Sequence, residues 1–497
     1  MKADIAIVGN GILAMTTARA LNESRPDLSV AVIGPAERAG GATGASGAML
    51  NVFAEITNRS EASAAAIERF KIAYDSLRRW PDYLDQLNAE LPDESKVQIR
   101  PGTFVIRNAA SGRLDDENFD AIRSALIAQN EPHQQCSPKD IPGYKPSQPS
   151  RAIEALYLPN EGSIDSTKLW LALQSSFLRK ASNSLVDDSV VRINEKGGRI
   201  ESLETSKGHI IEADRVMIAA GAFTGQLIPQ LRGLADRVPL MMPGVGLSML
   251  CHQPPQPIET IIRTPNRSAS CGLHVLARDS RTAYIGATNN LYFMPQTEPM
   301  LGLVAFLAKN AMEQVNEDFY YTQLIKWQVG NRPVAIDGFP VIGRTSIANL
   351  WLMTGTYRDG LTCSPTLSRQ MADELTDGPE RCPAIFAPER PLIETRTTEE
   401  SIQEMVVHFV SAGFENWMYL PRFFAEKQME SVIEARVRAL YAQLETEYGL
   451  SPEVLFALIF SNPGEPYIEL FRRYLRSVKV RPTVAKVTEP DRVRAGA

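Results

Sequence analysis

Polar and apolar positions near the start of the chain alternate in blocks. Asp4 to Val8 (DIAIV) is a short β-branched run with the composition of a buried parallel strand. Gly9-Asn10-Gly11-Ile12-Leu13-Ala14 follows, residues 15–22 have helical composition, and residues 29–33 (SVAVI) form a second apolar strand. Strand, glycine turn, helix and strand in this order are the setting that a dinucleotide-binding fingerprint requires. Gly9 permits the tight turn, Gly11 lets a pyrophosphate approach the backbone, and Ala14 in the third position still allows close helix–strand packing. Free amides at the helix start face the phosphate charge. One part of the fingerprint is missing. The second strand runs into Ile33-Gly34-Pro35, with no acid for an adenosine ribose, and the nearest substitute is Glu37. Losing one charge-assisted hydrogen bond costs roughly 1.5–3 kcal/mol, so weak cofactor retention is expected if nothing replaces it.

Residues 40–50 (GGATGASGAML) are nearly all small and permit close backbone approach to a bulky planar ligand, which favours FAD over NAD. Further blocks recur downstream: 186–191, 214–224 (DRVMIAAGAFT), 278–288 ending in Tyr284-Ile285-Gly286-Ala287-Thr288, 330–343 (GNRPVAIDGFPVIG) and 355–365 (GTYRDGLTCSP). In this order the blocks resemble the D-amino-acid oxidase superfamily of flavoproteins, most closely its glycine oxidase and sarcosine oxidase branch, over residues 4 to about 378.

The resemblance implies an α/β fold: a Rossmann-like FAD-binding domain with a mixed-sheet substrate domain. It assigns residues 1–90, 151–235 and 330–378 to the first and 91–150 and 236–329 to the second. It implies that the pyrophosphate lies at Gly9, Gly11, Ile12, Leu13 and Ala14, the adenine at Val190, and the isoalloxazine under Gly41, Thr43, Ala45, Ser46, Gly47 and Met49. Gly221 belongs to the turn closing the FAD domain, and Arg358-Asp359-Gly360-Leu361-Thr362 is expected to offer backbone amides to the flavin N1–C2=O edge. Negative charge develops there on reduction. Some relatives tether FAD through a cysteine before the arginine of the closing signature. Here that neighbourhood reads Gly330-Asn331-Arg332, so non-covalent FAD is expected, with Cys363 a small core residue.

Substrates of the superfamily are amines carrying a carboxylate, and their catalysis is mainly positioning. Arg332 falls on the arginine that clamps this carboxylate; the competing reading is a structural arginine paired with an acid such as Asp337. Arg358 matches a basic position near the ring, either functional or structural. His274 stands where the glycine oxidase branch carries a carboxylate-binding tyrosine, and Asn289 replaces an apolar pocket residue. Both point to a more polar pocket and a substrate with an extra polar group, unless His274 is only a strand histidine. The leading reading is an FAD-dependent amine or amino-acid oxidase, with oxygen as acceptor. The alternatives are a flavoprotein acting on a residue of a protein, a peptide or a natural-product intermediate, and a flavin subunit of a multi-protein dehydrogenase.

Composition narrows the rest. The chain has 497 residues, 44% hydrophobic and 22% charged, which suits large buried cores. A net charge of −6 offers no basic face for nucleic acid. No apolar run is long enough to span a bilayer, and a cytoplasmic protein is expected. Five cysteines and five histidines are scattered without metal-ligand or disulfide spacing, so no metal is expected. The resemblance ends near Gly378. Residues 379–396 read as a proline-rich linker, 397–478 as a helical extension and 479–497 as a tail. Helical periodicity covers 401–412, 420–448, 452–461 and 466–478. The aromatics Phe414, Trp417, Tyr419, Phe423, Phe424, Tyr441, Phe456, Phe460 and Phe471 form either a mini-core or a surface for a protein partner.

Overall fold

In the computed structural model the described residues are 1–61, 63–109, 112–231, 233–268, 271–415, 426–460 and 465–479. The opening blocks form β1 (Lys2–Val8), α1 (Ile12–Ser24) and β2 (Val30–Ile33). β1 pairs in parallel with β2 on one side and with Ile210–Ile218 on the other. The same eight-stranded sheet includes Leu350–Thr354, Val341–Arg344 and Ser184–Val186. The end of β1, β2 and Leu350–Thr354 are buried apolar runs because helices cover them: α1, the helix Ser166–Leu178 and the helix Ser364–Thr376 bury their apolar faces there. The expected strand over 186–191 is instead two strands. Val186 ends Ser184–Val186 and Val190 begins Val190–Lys196, which turns away to pair with Arg199–Thr205.

A second, ten-stranded sheet carries Met241–His252 near one end, with Thr282–Gly286, His274–Ala277, Ile261–Arg263, Arg100–Asn108 and Ala152–Ser163 following in order to Met49–Leu50. Leu324–Ala335 pairs along the length of Met241–His252. Two expected domain limits therefore shift. Ala152–Ser163, assigned above to the FAD-binding unit, pairs with Arg100–Asn108, and Arg332 sits on a strand of the second sheet. Both segments cross from one unit to the other, and their ladder partners lie far away in sequence.

The segment 379–396 is irregular apart from the turn Ala384–Phe386, yet it is packed: Phe386 is fully buried and Arg390 pairs with buried Asp337 at 3.0 Å. The extension follows as helices Thr398–Glu415, Glu426–Leu444, Pro452–Phe460 and Glu465–Lys479. A reciprocal cap starts it: the Thr397 hydroxyl accepts from the Glu400 amide, and the Glu400 carboxylate accepts from the Thr397 amide. Tyr441, Phe456 and Phe471 pack into a core shared with Met242, Leu291, Val334 and Ile336 of the second sheet. Phe414 and Phe460 are partly exposed; Trp417, Tyr419, Phe423 and Phe424, like the tail from residue 480, lie outside the described residues. Among the described residues no helix is long and apolar enough to cross a membrane.

Candidate active site

A cavity of about 750 Å³ runs between the two sheets, from the glycine turn after β1 to Arg332 and Arg358. Gly9, Gly11, Ile12, Leu13, Gly41, Thr43, Ala45, Ser46, Gly47, Met49, Val190, Gly221, His274, Arg332, Arg358, Asp359, Gly360, Leu361 and Thr362 all line it. Ala14 does not: it is fully buried in the core beneath α1, the place its small side chain suits. Gly9 has φ +112, and a Cβ there would sit 2.4 Å from the Ala219 carbonyl oxygen, so this turn admits glycine alone. Gly11 caps α1 without any side-chain bond of its own.

Three features fit a flavin dinucleotide. The walls from Gly41 to Met49 are backbone and small side chains. Across from them, the amides of Gly360, Leu361 and Thr362 donate to no acceptor among the described residues, while the Thr362 hydroxyl donates to the Met49 carbonyl at 3.1 Å and ties the two walls together. Near the glycine turn, the Arg38 Nε and Nη1 are buried without a hydrogen-bond partner. Unmatched donors lining an elongated cavity suit a ligand rich in phosphate and carbonyl oxygens.

At the other end, Arg332 extends from Leu324–Ala335 over Gly246, where a Cβ would meet the guanidinium at 2.4 Å. Its Nη1 donates to the Thr288 carbonyl at 3.0 Å and to the Asn289 amide oxygen at 3.1 Å, and Nη2 faces the Cys271 sulfur at 3.8 Å. Among the described residues no carboxylate lies within ion-pair distance. The competing partner Asp337 is committed to Arg390. Arg332 is thus a fixed, partly buried cation facing a cavity, with no counter-charge among the described residues. Asn289 itself does not line the cavity. It stands behind Arg332 and donates to the Tyr357 hydroxyl, which corrects its expected place as a pocket residue.

Arg358 belongs to a different kind of cluster. Glu55 lines the same cavity and bonds the buried Arg263 guanidinium; its other oxygen lies 3.8 Å from Arg358. Burial works to raise the Glu55 pKa, but Arg263 and Arg358 outweigh it and hold the carboxyl at about 2. Asn266 ties the group together, giving its amide to Glu55 and accepting from both arginines. Arg358 is therefore partly neutralised where Arg332 is not.

His274 is 3% exposed and stacks on Tyr284, ring centres 5.8 Å apart. Burial, reinforced by Arg263, pushes its pKa down to about 3. Its Nδ1 lies 3.0 Å from the Gly272 carbonyl, an acceptor, so Nδ1 carries the proton and Nε2 is left as an acceptor. A neutral ring with a lone pair is no cationic carboxylate ligand.

Sequence reasoning missed Glu55, Arg263, Cys271, Tyr357 and Arg38 as parts of this site. Arg263 alone left a signal, a lone charge closing the apolar run Ile261-Ile262. Tyr357 lies inside the block 355–365 with no role read for it, and Glu55, Cys271 and Arg38 come from separate segments and carry no motif. Among the described residues no group of three or more His, Cys, Asp or Glu could hold a metal ion.

Comparison with known proteins agrees with this geometry. The family model described as "FAD dependent oxidoreductase" matches residues 4–374. Glycine oxidase of Pseudomonas aeruginosa is 25% identical over 394 residues, covering 78% of this chain and 99% of that protein. D-amino acid dehydrogenase of Agrobacterium fabrum is 28% identical over 235 residues, covering 47% of this chain and only 53%, about half, of that one. The crystal structure of glycine oxidase from Geobacillus kaustophilus superposes with a TM-score of 0.65 at 20% identity, over 78% of this chain and 99% of that one, a likeness of fold.

Proposed function

We propose a function on the premise that the chain belongs to the FAD dependent oxidoreductase family: it oxidises the C–N bond of an amino acid or a similar amine bearing a carboxylate. One observation carries the reading. Arg332 is a pre-positioned guanidinium on the cavity wall with no carboxylate partner among the described residues, while the nearby cations Arg263 and Arg358 share Glu55. A substrate carboxylate completes it bidentately, as guanidinium geometry favours.

When bound, FAD supplies the two-electron acceptor for the C–H bond next to nitrogen. The chain's own part is placement and electrostatics. Arg332 fixes the acid end of the substrate, and Asn289 and the Thr288 carbonyl fix Arg332. His274 lines the cavity and stays neutral at ordinary pH, so it adds no charge there. The open amides of Gly360, Leu361 and Thr362 are arranged to receive negative charge. Nothing in this scheme requires a side-chain nucleophile. The imine product is hydrolysed by water, dioxygen is the proposed final acceptor, and the FAD is proposed to be non-covalent.

The test is direct. Purified protein reconstituted with FAD is mixed anaerobically with a panel of amino acids, and the flavin absorbance is followed. Bleaching by a carboxylated amine, and not by the amine lacking the carboxylate, is expected; bleaching by neither overturns the reading. Peroxide on readmitting air supports the oxidase form, and fast reduction without peroxide assigns the electrons to another acceptor.

A further inference from the structure

We propose that Arg38 binds the diphosphate of the cofactor, so that this chain holds its dinucleotide through a phosphate contact where the ribose acid is missing. This rests on reading the cavity as an FAD site. Position 34, where the acid is expected, is closed by its neighbour: a Cβ on Gly34 would lie 2.5–2.8 Å from the Asn10 side chain, whose amide donates to the Pro35 carbonyl at 3.0 Å. No side chain fits there, let alone a carboxylate reaching for a sugar. Asn10 and Gly34 thus explain each other, and the anchoring interaction has to come from elsewhere.

Four residues on, the backbone is bent to deliver one. Arg38 has φ +47, and its carbonyl accepts from the Gly41 amide at 2.9 Å, a tight turn leading into the small-residue wall. The turn lays the guanidinium over the Trp170 indole, 3.7 Å from the ring centre. Trp170 is itself fixed, its Nε1 donating to the Asn10 carbonyl at 2.7 Å inside the glycine turn. The cation is therefore held next to the fingerprint by a face-on aromatic contact, which orients the plane yet leaves its N–H edge unused. The Arg38 Nε and Nη1 are buried and make no hydrogen bond, and among the described residues no carboxylate lies within ion-pair distance. Buried donors without partners are rare in a folded chain, and the residue that carries them lines the cavity, as do Gly11 and Thr43. A phosphate diester oxygen supplies both the acceptor and the charge they lack.

The consequence is a cofactor held by charge. Affinity depends on ionic strength and on the diphosphate, and little on the ribose hydroxyls. FAD binding to apoprotein is measured by flavin fluorescence at two salt concentrations, with ADP and adenosine as competing probes. The variants are Arg38→Gln and Arg38→Lys. Arg38→Gln is expected to weaken FAD and ADP by the same factor, about tenfold or more, and to flatten the salt dependence. Adenosine competition stays as it was, and Arg38→Lys restores part of the loss. The melting temperature of the apoprotein does not fall, because the variant removes a partly buried cation that no carboxylate among the described residues neutralises. Unchanged FAD and ADP affinities in Arg38→Gln overturn the proposal, and so does a lower apoprotein melting temperature with wild-type salt dependence. A wild-type protein that binds no FAD overturns the underlying reading of the cavity instead. If Arg38→Gln does not fold, the wild-type and Arg38→Lys salt slopes decide: equal FAD and ADP affinities in the two contradict the contact.

Discussion

The two ends of the cavity are built on opposite principles. Along the walls expected to hold the cofactor, backbone makes the surface: the turn after β1, the small-residue wall and the open amides of Gly360, Leu361 and Thr362 come from three short contiguous segments. At the substrate end, side chains make it. Arg332, His274, Cys271, Glu55 and Arg358 arrive from four separated stretches, and Arg332 and Arg358 are each fixed by partners on others. Backbone surfaces need runs of glycine and alanine, which a sequence displays. Side-chain surfaces need charge balance, which exists only after folding. Arg332 and Arg358 show the point: each is an arginine in one of the recurring blocks, yet among the described residues one has no carboxylate partner and the other shares Glu55 with Arg263.

If that contrast is sound, the largest effect of a single change lies at the turn. Gly9→Val forces a Cβ onto the Ala219 carbonyl in a left-handed conformation, and loss of FAD binding or of folding is expected, read by absorbance and circular dichroism. Next, Glu55→Gln leaves Arg263 and Arg358 buried without their carboxylate. Breaking a buried pair costs about 3–5 kcal/mol, so a drop of several degrees in melting temperature is expected. An unchanged melting point would mean the cluster is wetter than its burial implies. Asn289→Leu removes one anchor of Arg332 and the partner of Tyr357 without touching the cavity wall. A rise in KM of about tenfold, with FAD affinity unchanged, corresponds to one hydrogen bond to a charged group.

The effect that vanishes at neutral pH is a pH dependence. Folded His274 titrates at about 3 and unfolded histidine near its ordinary 6.5, so above 6.5 it adds no penalty. As pH falls from 6.5 toward 3 the unfolded chain takes up a proton that the folded one refuses, and stability declines. Glu55 adds a loss of its own below the ordinary glutamate range, ending near 2. His274→Phe should therefore flatten the stability profile between pH 6.5 and 4 and leave the steeper acid limb. Parallel profiles for the two proteins would place His274 in wetter surroundings.

This contrast also explains how much the sequence disclosed. The glycine turn, the strands around it, the small-residue wall and the block from Arg358 to Thr362 were legible because each is local. The path of Ala152–Ser163 into the second sheet was not, since its pairing with Arg100–Asn108 depends on ladder partners some fifty residues away. The aromatic residues of the extension allowed either a core or a partner surface, and the structure packs Tyr441, Phe456 and Phe471 against strands next to Arg332. The linker looked loose from its prolines; the buried pair between Arg390 and Asp337 makes it a strap and at the same time frees Arg332 from the rival acid.

The central claim is that a guanidinium without a counter-charge among the described residues waits for a substrate carboxylate beside an FAD. Anaerobic flavin reduction by the best amino acid, compared between wild type and Arg332→Ala at equal FAD occupancy, tests it most directly. The account predicts an unchanged visible spectrum and a reduction rate constant at sub-saturating substrate lower by at least about a hundredfold, the scale of losing one desolvated charge pair. Equal rates in the two proteins would contradict it.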